Sequence, residues 1–115
     1  MIIDNTQKVN MKMYRGDSMS FIFEIEDNDR ELNSAYFTCK NNADDEIPLF
    51  QKSLTNGISK LDSGKYIVYI APTDTNMIEA GKYPYDLQIS IDDEVYTLIK
   101  GYLEVEFDVT NGGEH

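Results

Sequence analysis

The chain has 115 residues, 41% of them hydrophobic, and sets 21 acidic against 10 basic residues for a formal net charge of −11. A single domain of this size buries roughly 65–70% of the surface its unfolded chain exposes, and the excess of acids works against direct contact with phosphate backbones or anionic lipid. One cysteine, Cys39, excludes an internal disulfide, and no apolar run reaches the length of a membrane-spanning helix.

Residues 1–7 carry little pattern and are expected to be a flexible or docking arm. Met1-Ile2-Ile3-Asp4 meets an acid at once, without the basic start and apolar run of a secretory signal. Val9, Met11 and Met13 alternate with Asn10, Lys12 and Tyr14, which predicts a first strand. Arg15-Gly16-Asp17 breaks it; the string also matches an integrin-binding tripeptide, but Gly beside Asp is ordinary turn chemistry and is read as a turn. From Ser18 to Glu26 the alternation is clearest, with Met19, Phe21, Phe23 and Ile25 inward and Ile22 the one apolar residue outward. After the polar loop of residues 27–31, Ala35, Phe37 and Cys39 mark another strand, and Cys39 on its inward face reads as a small buried hydrophobe.

Pro48 to Leu54 is a weaker strand whose leading proline suggests a sheet edge. Asn56-Gly57 and Asp62-Ser63-Gly64 are turn signals, with a short strand or irregular crossing between them. Tyr66, Val68 and Ile70 form the next inward face, and Pro72 ends that strand. Thr73 to Ala80 is the only helix-like stretch, stopped by Gly81.

The chain then closes with a long hairpin. Its first arm aligns Tyr83, Tyr85, Leu87, Ile89 and Ile91; its second aligns Val95, Thr97, Ile99, Leu103, Val105, Phe107 and Val109. An acidic turn, Asp92-Asp93-Glu94, joins them, and Gly101 is read as a bulge or bend. Residues 111–115 are a loose tail. About seven to eight antiparallel strands at regular spacing, with one short helical turn, predict an all-β, immunoglobulin-like sandwich spanning 1–115 with its core over about 9–110. Tyr83, just past Gly81, stands where such folds place a corner tyrosine whose hydroxyl caps the preceding turn.

The order Arg15-Gly16-Asp17-Ser18, Phe21-Ile22-Phe23-Glu24-Ile25, Ala35-Tyr36-Phe37-Thr38-Cys39-Lys40, Asp62-Ser63-Gly64-Lys65-Tyr66, Ala71-Pro72-Thr73-Asp74-Thr75, Gly81-Lys82-Tyr83-Pro84-Tyr85-Asp86-Leu87 and Thr97-Leu98-Ile99-Lys100-Gly101 covers nearly the whole chain. It resembles the immunoglobulin-like N-terminal domain of phage baseplate upper proteins, which also has small free-standing relatives in phage and prophage genomes. The resemblance implies virion assembly without catalysis, localisation in a virion or the host cytoplasm, and other phage structural proteins as partners.

The residues themselves offer little chemistry. His115, the only histidine, lies in the tail, so a serine or cysteine nucleophile has no imidazole base. One Cys and one His cannot build a zinc site, and the glycines are scattered singly rather than gathered in a phosphate loop. No enzyme activity and no cofactor are expected. If alternate loops of the sandwich gather at one end, Asp27, Asp29, Asp92 and Asp93 are candidate Ca²⁺ ligands, although solvated turn acids are the preferred reading. Among outward residues, Tyr69, Tyr96, Leu98 and Tyr102 are expected to form one patch suited to a subunit interface or homo-oligomer, unless an N-terminal arm carrying Ile2 and Ile3 covers it. The expected role is a non-enzymatic phage structural protein of the tail, baseplate or head. Two alternatives stand beside it: an acidic inhibitor that mimics nucleic acid, as an anti-CRISPR protein would, and a host-surface adhesion module.

Overall fold

A computed structural model of the chain describes residues 6–25 and 31–107. Among these, strands and one helical turn follow in the order β1 (Gln7–Lys8), β2 (Met11–Tyr14), β3 (Met19–Glu24), β4 (Ser34–Cys39), β5 (Phe50–Leu54), β6 (Gly57–Asp62), β7 (Lys65–Ile70), α1 (Pro72–Thr75), β8 (Gly81–Ile91) and β9 (Glu94–Glu106). Hydrogen-bonded neighbours run β1-β9-β8-β4-β5-β6-β7-β3, and β2 also pairs with β9. The path turns over where Ser53 and Leu54 pair in parallel with Gly57 and Ile58. One layer is therefore β1/β2-β9-β8-β4-β5 and the other β6-β7-β3. Across the two, the rings of Phe21 and Phe37 meet at a centroid distance of 5.6 Å. This is an immunoglobulin-like sandwich, with β5 beside β4 as in variable-type domains.

The expected seven to eight antiparallel strands become nine, and the sheet is mixed. The expected first strand shortens to β2, a two-residue strand β1 forms before it and takes in Gln7 of the expected arm, and both run parallel to β9 with a break at Val9 and Asn10. The break has a local cause. Gly101 lets the backbone of Val9 come so close that an added Cβ would lie 2.1 Å from the Val9 carbonyl oxygen. That carbonyl turns away from the ladder to accept the Tyr85 hydroxyl at 2.6 Å, and the Asn10 side chain accepts the Tyr102 N–H in its place at 3.0 Å. Gly101 thus serves a close backbone approach rather than the expected bulge.

The bulge lies three residues earlier. Gln88 pairs with Thr97 and Leu87 with Ile99, leaving Leu98 as the extra residue. The facing of the hairpin's start is inverted relative to the simple alternation: Val95 is 63% exposed, whereas Leu98 is buried and Tyr96 packs partly against the core. Phe107, also expected inward, is half exposed. The β8–β9 connection is a two-residue turn, since Ile91 pairs with Glu94. Asp92 (φ 51°) and Asp93 (φ 69°) both take the left-handed conformation, which a type I′ turn requires and aspartate tolerates.

The core follows the period-2 pattern elsewhere. Tyr83, Tyr85, Leu87, Ile89 and Ile91 of β8 are all buried, as are Ala35, Phe37 and Cys39 of β4 and Tyr66, Val68 and Ile70 of β7. On β3, Met19 and Phe21 of the expected inward face stay partly exposed, near the open edge of that strand. The helical stretch contracts to one turn. Its corner is closed as expected, by the Tyr83 hydroxyl donating to the Glu79 carbonyl at 2.5 Å.

Candidate functional site

The four residues expected to share an interface patch lie in different places. Leu98 is in the core and Tyr96 against it, both because of the bulge. Tyr102 stands on β9 in the larger layer and Tyr69 on β7 in the smaller one. Tyr69 has other company instead: β3 and β7 place Ser20 opposite Tyr69 and Ile22 opposite Ile67. Ile22 is 54% and Tyr69 45% exposed, so these side chains form an apolar strip on the outer face of the smaller layer.

That strip borders an open edge. Among the described residues β3 pairs only with β7, because the first strand goes to β9 rather than to β3. Among the described residues, one side of Met19–Glu24 therefore has no strand partner for its N–H and C=O groups. β1 and β2 also end a sheet, and β5, read from its leading proline as an edge, is paired along β4 but meets β6 only at Ser53 and Leu54.

Of the candidate Ca²⁺ ligands, Asp27 and Asp29 lie outside the described residues. Asp92 and Asp93 occupy the I′ turn, and the Asp93 N–H donates to the Asn33 side chain at 3.4 Å. No group of three or more metal-ligating side chains occurs among the described residues.

Arg15-Gly16-Asp17 forms a corner docked on α1. Gly16 has φ 82°, its N–H donates to the buried Thr75 hydroxyl at 3.0 Å, and Asp17 N–H closes the turn on the Tyr14 carbonyl at 3.1 Å. The Arg15 guanidinium lies 4.6 Å from the centre of the Phe107 ring and reaches the Ile78 carbonyl at 3.4 Å. An arginine held this way is committed to the corner, not offered to a receptor.

The interior also holds a charge that periodicity did not single out. Lys52 sits on the inward side of β5, opposite Phe37, and its ammonium meets the Asp74 carboxylate at 2.7 Å. The same Asp74 oxygen accepts the Ala71 N–H at 2.7 Å and so caps α1. Gly57 makes room for the lysine stem, since a Cβ there would lie 2.7 Å from Lys52 Cε. The sequence signals were an amine at an alternating inward position and an Asp at the third residue of a proline-started turn.

Burial also sets the acid–base behaviour of two core groups. It pushes the Cys39 thiol and the Tyr85 hydroxyl each up to about 12. Both hold their protons in the folded protein above the pH at which the unfolded chain releases them. Their contribution is therefore intact below the ordinary values and is lost as pH rises towards 12, at up to about 1.4 kcal/mol per pH unit per group. Urea midpoints should be level from about pH 7 to 8 and drop between about pH 9.5 and 11. A midpoint unchanged at pH 11 would show that these groups reach water. The buried, protonated thiol is unsuited to nucleophilic chemistry.

The strand order defines the class of the protein, an immunoglobulin-like β-sandwich. No protein-family model matches the sequence, and no curated protein is similar to it. Among solved structures, it is similar to a titin I27 domain mutant at 12% identity, with a TM-score of 0.45 over 100% of this chain and 94% of that one. It is also similar to the NK cell receptor Nkp44 at 16% identity and a TM-score of 0.49, covering 90% of this chain and 100% of the other. For the extracellular domain of the voltage-gated sodium channel beta4 subunit the values are 12%, 0.44, 93% and 98%. The fold assignment stands on the strand pairing itself.

Proposed function

We propose that the protein is a non-enzymatic structural or assembly component of a phage particle, at the tail, baseplate or head, working through protein–protein contacts. The observation that carries this reading is the open β3 edge bordered by Ile22, Ile67 and Tyr69. An unpaired edge offers backbone hydrogen bonds to an extended strand of another particle protein, and the adjoining apolar strip buries area when that strand arrives. The sequence resemblance to baseplate domains supplies the particle. The nucleic-acid mimic draws less support, because the cleft on the outer face of the larger layer is lined by Lys8, Lys40 and Lys100 against one carboxylate, Asp86.

Mass spectrometry of purified virions tests the role. The chain is expected at a fixed stoichiometry to the major structural proteins. Absence from particles whose genome encodes and expresses it would end this reading.

A further inference from the structure

The outer face of the larger layer carries a cleft of about 550 Å³ that runs across β1, β9, β8 and β4. Three lysines line it: Lys8, Lys40 and Lys100. On a chain with twice as many acids as bases this is a marked segregation of charge. Lys12, Lys52, Lys60 and Lys65 each reach a carboxylate, whereas Lys8, Lys40 and Lys100 form no ion pair among the described residues. The strand register explains their convergence. Lys8 lies beside Lys100, Lys100 opposite Asp86, and the Lys40 N–H bonds to Pro84 two residues along β8.

Asp86 is the one carboxylate in the lining, so three ammonium groups face a single negative charge. Burial raises the Asp86 carboxyl, while Lys40 and Lys100 pull it down. Tyr102, 53% exposed, and Pro84 add apolar wall. Lys40, just past the end of β4, and Lys100 on β9 flank β8, roughly 10 Å apart at two inter-strand spacings. Long lysine stems can converge on one small anion, but such an ion would leave most of a cleft of about 550 Å³ and its apolar wall unfilled, whereas an extended peptide with acids at alternate positions repeats its carboxylates about every 7 Å on one face.

We propose that this cleft binds an extended acidic segment of a partner protein, its carboxylates on Lys8, Lys40 and Lys100 and an apolar side chain against Tyr102. The site is independent of where the protein acts, so it stands whether or not the chain is found in virions. Salt should affect binding in an unusual way. At low ionic strength the whole molecule repels an acidic ligand. Near 0.15 M the screening length is about 8 Å, which suppresses distant acids more than the lysines in contact.

The test is fluorescence anisotropy with a labelled peptide carrying glutamate at alternate positions and one central phenylalanine, at 0.15 M salt. The full chain should bind it, and a control peptide with glutamine in place of each glutamate should not bind. The double variant Lys40→Gln/Lys100→Gln should weaken binding at least about tenfold, and Asp86→Asn should tighten it; three surface changes of this kind leave the core intact, which melting curves verify. No binding by the unsubstituted protein, or equal binding by the double variant, overturns the proposal. Displacement of the peptide by inorganic phosphate at comparable concentration overturns it in favour of a small-anion site. Self-association of the free protein that the double substitution abolishes overturns it in favour of a second copy in the cleft.

Discussion

Replacing Phe37 by Ala should lower stability by about 3–5 kcal/mol, a large share of what a domain of this size possesses. Phe37 is fully buried. Its ring is the meeting point of both layers, with centroids at 5.6 Å from Phe21, 6.0 Å from Phe50 and 5.1 Å from Tyr85. Those neighbours come from β3, β5 and β8, and three rings held by three different strands cannot all close on the space left behind. The loss therefore combines transfer of the ring to water with a residual cavity. Urea denaturation of Phe37→Ala against Ile22→Ala checks the assignment, since Ile22 lies on an outer face and its truncation should cost far less. A loss below about 1 kcal/mol for Phe37→Ala would mean the layers do not meet there.

Asp74→Ala should cost about 3–5 kcal/mol as well, by a different mechanism. The substitution removes the Ala71 cap, worth about 1 kcal/mol, and strands the Lys52 ammonium, whose side chain is only 11% exposed. A buried charge without its partner carries most of the penalty. The double variant Asp74→Ala/Lys52→Met should accordingly recover everything except the cap. A double-mutant cycle by urea denaturation measures the coupling. If Asp74→Ala costs no more than the cap alone, the ammonium reaches water when released, and the pair is a surface contact worth little.

Much of the sandwich was legible because strand alternation is a local property. Successive side chains point to opposite faces whatever the rest of the chain does, so Tyr83 to Ile91, Ala35 to Cys39 and Tyr66 to Ile70 declared their inward residues directly. The Tyr83 corner was legible for the same reason: its partner, the Glu79 carbonyl, is four residues away. The left-handed turn at Asp92-Asp93 was visible as an acidic turn, but its length was not. A two-residue and a three-residue connection differ only in which residues pair across it.

The candidate surfaces were hidden for a physical reason. A single extra residue at Leu98 exchanges the two faces of the strand before it, and its position depends on the register with β8. That exchange separates Tyr96 and Leu98 from Tyr102. The open edge of β3 depends on a contact made far away in sequence, where Met11 to Tyr14 run beside Leu103 to Glu106. Lys52 and Asp74 are joined across 22 positions, and Lys8 and Lys100 across 92. Composition and alternation by themselves determined an all-β sandwich with a buried aromatic core and an acidic exterior. Which edge stays open, which lysine goes inside and which lysines converge on one cleft were decided only by the tertiary structure, because each is set by strand pairing between distant segments and leaves no periodic trace in either one.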